Sequence, residues 1–131
     1  MGNIENMTYK KVVNYTDLDV YQRLYKLALI IHREILPKLP REERFVLIDQ
    51  LSRSSKSPPA LIAEAYARRY SGKEWRKYVR ESIGECNESV VHISFIRDLY
   101  FKFVDIKLCK ELIGEYEVAG KQLFRLGENW K

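Results

Sequence analysis

The chain is poor in the residues that staple, ligate or punctuate a fold. Its 131 residues include two cysteines, two histidines, four prolines and six glycines. Two cysteines cannot build the disulfide framework of a small secreted domain. Cys86 and Cys109 both fall on apolar helix faces, where buried free thiols are expected. His32 and His92 are too few for a di-iron bundle, which needs two Glu-x-x-His pairs; Glu88 and His92 are four apart, not three. No metal is therefore expected. Cys86 and His92 lie six apart on one helix and point in nearly opposite directions, so they cannot act as nucleophile and base. There is no glycine-rich phosphate loop. No cofactor, small-molecule substrate or catalysis is expected.

Long apolar runs are also missing. No stretch approaches a membrane span. Met1–Tyr15 has no apolar h-region, so no secretory leader is expected. Met1-Gly2-Asn3 resembles the start of a myristoylation signal, but Asn6 stands where Ser or Thr is wanted. A cytoplasmic protein with no membrane contact is the expectation.

What the chain does have is ordinary for a globular protein: 46% hydrophobic and 31% charged residues, enough for one domain with its own core. It carries a net charge of +5, which suggests an acidic partner. Apolar periodicity dominates. Trp75, Val79, Ser82, Cys86, Ser89, Ile93, Ile96 and Tyr100 alternate in steps of four and three, a seam of a/d type. Cys109, Leu112, Tyr116, Ala119, Leu123 and Leu126 repeat the rhythm. Val20, Leu24, Leu27, Ile31 and Ile35 make a third stripe.

These patterns place four helices. Residues 1–15 lack periodicity and read as a loose N-terminal arm; residues 16–131 form the bundle domain. Thr16 is the expected N-cap of helix one, with Asp17 and Asp19 in its first turn and an end near Leu36. Pro37 and Pro40 bracket the next turn. Helix two starts near Arg41, turns Phe45, Ile48, Leu51 and Ser55 inward, and ends near Tyr70. Pro58 and Pro59 are expected to kink or break it. Ser71 and Glu74 form a capping box for helix three. Asp105 caps helix four and Gly127 ends it. Short connections imply an antiparallel up-down-up-down four-helix bundle, an all-α fold.

Two surface features exceed what such a bundle needs. The run Leu27–Ile31 is apolar all round, and helix three carries a second stripe of Val91, Phe95 and Leu99. Leu29, Ile30, Val91, Phe95 and Leu99 are therefore expected at an interface between subunits. The turn between helices two and three is strongly basic. Arg68, Arg69, Lys73, Arg76, Lys77 and Arg80 face only Glu74, with Tyr66, Tyr70, Trp75 and Tyr78 interleaved. Cations that neutralise phosphates, with rings that stack on bases, suit nucleic acid. A solvated helix end with inward aromatics is the plainer alternative, and Trp75 belongs to the seam. Glu64, Glu85 and Glu88 lie near apolar faces, where pairing with Arg53, Arg68 or Arg80 is expected.

The order of several short motifs resembles a known family. Asp17-Leu18-Asp19-Val20-Tyr21-Gln22 opens helix one and Leu39-Pro40-Arg41-Glu42-Glu43 opens helix two. Gln50-Leu51-Ser52-Arg53-Ser54 precedes Ser57 and Ile62-Ala63-Glu64, and Gly84 and Glu88 sit in helix three. Over Asp17 to Leu126 this resembles the bacterial four-helix-bundle proteins encoded in intervening sequences of 23S ribosomal RNA genes. The accessory variability protein of diversity-generating retroelements looks like a relative. The chain departs from the family pattern at Pro58, Leu61, Ala65 and Glu85. The resemblance implies a ring-like homo-oligomer, often a pentamer, an association with structured RNA, and no known catalysis. Two functions follow as expectations: a non-enzymatic oligomeric RNA-associated protein, or a structural protein-protein interaction module with no nucleic-acid role.

Overall fold

The computed structural model describes residues 11–129, and every regular element among them is helical. The fold is an all-α four-helix bundle of α1 (Asp19–Ile30), α2 (Asp49–Ala67), α3 (Gly72–Leu99) and α4 (Ile106–Asn129). Met1–Lys10, most of the expected arm, lies outside the described residues. The a/d seam is the core: Trp75, Val79, Ser82, Cys86, Ser89, Ile93 and Ile96 of α3 are buried. They meet Cys109, Leu112, Tyr116, Ala119 and Leu123 of α4 and the α1 stripe Val20, Leu24 and Leu27. Burying each large side chain of this set contributes about 1.5–3 kcal/mol.

Polar contacts fix the register. Between α2 and α3, Ser54 and Ser89 hydroxyls bond at 2.9 Å, and the Ser82 hydroxyl donates to the Pro58 carbonyl at 3.1 Å. The pairs advance along α2 as they retreat along α3, so these two helices are antiparallel. Trp75 Nε1 donates to the Leu126 carbonyl at 3.2 Å, tying α3 to α4. Arg23 of α1 reaches α4, where it bonds Gln122 and forms an ion pair with Glu115. His32, just past α1, bonds the Ala28 carbonyl through Nδ1 at 2.8 Å. A carbonyl only accepts, so Nδ1 carries the proton and Nε2 accepts from the Ser52 hydroxyl at 3.0 Å. Both serines of the α3 seam are small enough for close approach, and each is hydrogen-bonded to α2.

Helix ends differ from the sequence reading in three places. Thr16 is not the cap of helix one. Asn14 caps a tight turn, Tyr15–Asp17, and α1 starts only at Asp19; the Thr16 carbonyl instead accepts from the Gln22 side chain at 2.8 Å. The end of helix one near Leu36 does hold: beyond Ile30 it continues as a wide turn, Ile31–Ile35, with the Leu36 amide bonded to the Ile31 carbonyl. The Ser71 hydroxyl accepts from the Glu74 amide at 3.2 Å, but the Glu74 carboxylate does not close the capping box. It pairs with Arg68, where a full positive charge outcompetes a neutral amide. Asp105 caps α4 through the Lys107 and Leu108 amides, yet α4 runs past Gly127. A Cβ at that glycine would stand 3.3 Å from Val79, so its smallness serves the α3–α4 approach, not a stop.

Helix two holds the largest departures. Its helix is unbroken through Pro58 and Pro59, both buried. Each proline removes one ladder bond, worth about 1 kcal/mol net. Burial of two rings offsets that loss, and Ser82 holds the Pro58 carbonyl from α3. The wide turn lies instead at Arg44–Ile48. A wide turn adds a residue and rotates the faces by part of a turn. Leu47 is therefore buried there, and Phe45, expected inside, is 82% exposed. Leu51 and Ser55 point inward as their spacing requires.

Candidate nucleic-acid interface

The basic turn folds from a simple local plan. α2 ends at Ala67, the Arg68 amide closes its last turn on Glu64 and Ala65 carbonyls, and Ser71 opens α3 four residues later. Six cations are thereby gathered on one helix end, one turn and the first three turns of the next helix. The structure divides them into two groups. Arg68 is engaged: it bonds Glu64 at 2.7 Å and Glu74 at 3.4 Å and lies over the Tyr78 ring at 5.4 Å. Arg69 is engaged differently. Its guanidinium sits 4.1 Å from the Tyr66 ring centroid and 4.6 Å from that of Tyr70. It also donates to the Tyr66 carbonyl at 2.9 Å and bonds the Tyr70 hydroxyl at 3.1 Å. Lys73, Arg76, Lys77 and Arg80 are exposed, and none has a carboxylate partner among the described residues. Lys77 lies 5.0 Å from the Tyr78 ring. Trp75 is fully buried, as its seam position requires.

The α3 N-terminus adds to this charge. Peptide dipoles aligned over a long helix leave partial positive charge at its first turn, where Gly72, Lys73 and Glu74 lie. Gly72 leaves room for the folded-back Arg76 side chain; a Cβ there would stand 3.2 Å from its Nη1.

The far end of α3 is apolar. Val91, Phe95 and Leu99 are 51%, 53% and 60% exposed, and Phe101 and Phe103 beyond the helix are equally open. Leu29 and Ile30 are half-buried, each beside a groove that α1 forms with a neighbour: Leu29 facing α2, Ile30 facing α4. Two helix neighbours within one chain thus cover part of the all-round apolar run. Gly84, Gly114 and Gly120 sit inside helices with nothing within 4 Å of an added Cβ.

Two grooves go beyond what periodicity reveals. Between α2 and α3 lies a charged groove containing Arg53, Glu64, Glu81, Glu85, Glu88 and His92. Burial, then repulsion from Glu88 and Glu81, raises the Glu85 carboxyl above its ordinary range. Glu88 faces His92 at 3.7 Å. Of the pairings expected for these glutamates, Arg68 with Glu64 forms; Arg53 turns to Asp49 instead, at 3.0 Å, one helical turn away. Leu61 and Glu85, two of the departures from the family pattern, line this groove. Between α1 and α2 lies an aromatic groove edged by Tyr15, Tyr21 and Tyr25, with ring centroids 5.0 and 6.0 Å apart. Tyr21 and Tyr25 at i and i+4 on the polar face of helix one are its sequence signal.

The two cysteine thiols are buried and resist ionisation. Burial pushes the Cys86 thiol up to about 12, and Cys109 is raised for the same reason. The buried Tyr116 hydroxyl is raised as well; it lies toward Ser89 but makes no hydrogen bond. Among the described residues, no three His, Cys, Asp or Glu side chains come together as metal ligands would. No helix there is long and apolar enough to cross a membrane.

Comparison with known proteins places the chain in a family. The model of the 23S rRNA-intervening sequence protein family matches residues 16–125, and the chain belongs to that family. The match does not bear on the accessory variability protein. No curated protein and no solved structure matches the chain.

Proposed function

We propose that this member of the 23S rRNA-intervening sequence protein family is a non-enzymatic, oligomeric protein that binds structured RNA through the basic turn. One observation carries the reading: Lys73, Arg76, Lys77 and Arg80 project from the first turns of α3 without carboxylate partners among the described residues. Cations left unpaired on one face attract a polyanion, and release of its counterions supplies the binding free energy. The family name places these proteins' coding sequences within 23S ribosomal RNA genes, which makes ribosomal RNA the polyanion to test first. Phosphate contacts carry little sequence information, so base specificity is low. A homo-oligomer, a pentamer by resemblance, would repeat the patch around a ring and add avidity to weak single contacts.

The test is a titration of the protein against a 23S ribosomal RNA fragment at two salt concentrations. Wild type is expected to lose affinity steeply as salt rises. Changing Arg76, Lys77 and Arg80 together to Ala is expected to reduce the log–log salt slope by about 2–3 while leaving helical content intact. Equal affinity and slope for the two proteins would remove the RNA role of this patch. A second reading, an interaction module without nucleic acid, draws on the exposed Val91, Phe95 and Leu99 stripe. It predicts a complex largely indifferent to salt.

A further inference from the structure

We infer that the Tyr70 ring is a stacking platform for an unpaired nucleobase, so that the basic turn takes RNA with single-stranded nucleotides in preference to uninterrupted duplex. This rests on the RNA reading above and narrows its substrate class. Tyr70 sits in the four-residue connection between α2 and α3 and is 88% exposed. Its ring packs on no core residue. It is nonetheless held in place. The Arg69 guanidinium contacts both the Tyr66 and Tyr70 rings, at 4.1 and 4.6 Å, and is tethered by bonds to the Tyr66 carbonyl and the Tyr70 hydroxyl. Tyr66 is in turn packed against the core. The chain of contacts core–Tyr66–Arg69–Tyr70 therefore orients an otherwise solvated ring. One ring face meets the guanidinium and the rest of the ring is open.

The surroundings select the occupant. Lys73 is three residues on, and the Arg76 side chain folds back over Gly72 toward the turn. A ring amid cations, with no other exposed apolar side chain in the turn, is a poor seat for an apolar protein surface. The exposed apolar stripe of α3 itself, Val91, Phe95 and Leu99, lies toward its opposite end. A nucleotide satisfies both parts of the site at once: its base offers a flat π-face and its phosphates meet the cations. In a continuous duplex each base face is already stacked on its neighbours, whereas loops, bulges and single strands present free faces.

The experiment uses the full chain and fluorescence anisotropy with two probes. One is an unstructured RNA strand of about 12 nucleotides, within the span of single-strand sites; the other is the blunt duplex of the same sequence. Tyr70→Ala is expected to weaken single-strand binding by about tenfold and duplex binding by less than about twofold, the loss of one stacked base. Tyr70→Phe keeps the ring and is expected to retain single-strand binding. Equal effects of Tyr70→Ala on both probes, or none on either, overturn the stacking role while the RNA reading stands. Wild type binding neither probe overturns both. A Tyr70→Ala change in assembly size by light scattering assigns the ring to a subunit contact and likewise overturns the inference.

Discussion

The two ends of α3 share one inner seam and differ in everything outside it. At the N-terminal end and the turn before it stand exposed cations and the exposed Tyr70, with Arg69 in guanidinium–ring contacts and Arg68 in ion pairs. At the C-terminal end they are Phe95, Leu99, Phe101 and Phe103, with half or more of each side chain in solvent. Inside, Trp75 and Ile96 are equally buried. Bundle formation therefore constrains only the inner stripe and leaves the outer face free to specialise. A charged end favours a polyanion in a salt-dependent way; an apolar end favours another apolar surface. The difference is one of physics along a single helix, and each half can be tested against the other.

The largest effect is expected on the seam that both ends share. Trp75→Ala should lower unfolding free energy by about 3–5 kcal/mol, through the cavity and the lost bond to the Leu126 carbonyl. Urea unfolding followed by circular dichroism checks this; a loss under about 1 kcal/mol would show that the basic end is loosely packed. Next comes the outer apolar stripe. Val91→Ser, Phe95→Ser and Leu99→Ser together should leave the helical content unchanged and convert the assembly to monomer by analytical ultracentrifugation. An unchanged oligomer would place the subunit contact elsewhere and dissolve the contrast between the two ends.

A smaller effect separates covered from uncovered helix faces. A Cβ added at Gly84 or Gly114 meets nothing within 4 Å among the described residues, so Ala there should stabilise an isolated subunit by about 0.5–1 kcal/mol. If a second subunit approaches closely at either position, the same change weakens assembly instead. Thermal melts at two protein concentrations distinguish the cases. The smallest effect is electrostatic. Burial and two neighbouring glutamates raise the Glu85 carboxyl in the folded state above 4.5. A raised carboxyl means that the folded state holds its proton more tightly than the unfolded chain. Glu85 thus favours folding when protonated, and that contribution is lost as pH climbs from the unfolded value through the raised folded one. Glu85→Gln should abolish this fall, seen as a flatter melting temperature as pH rises above the ordinary glutamate range. The same dependence in both proteins would assign it to other groups.

The seams were legible because a/d spacing leaves one physical solution: every position from Trp75 to Ile96 and from Cys109 to Leu123 that the period selects is buried. The basic turn was legible as composition, since six cations crowd into thirteen residues around a capped start. Their division was not. That Arg68 binds Glu64 and Arg69 contacts two rings, while four cations have no carboxylate partner among the described residues, depends on directions that spacing does not encode. The grooves were hidden for the same reason, because each draws on two helices whose relative rotation is a tertiary property. Phe45 was misplaced because a wide turn shifts the helical phase, and nothing in the local pattern announces a wide turn. Pro58 and Pro59 were overrated because propensity counts lost amides but not the burial of two rings.

By itself, the sequence determined helix number, the inner stripes, the location of charge and the family, since each follows from periodicity, composition or motif order along one chain. Only the tertiary structure decided which cations remain free, where Tyr70 stands and which apolar side chains stay uncovered. Those depend on pairing energies between residues far apart in sequence, and such pairings exist only once the helices have packed.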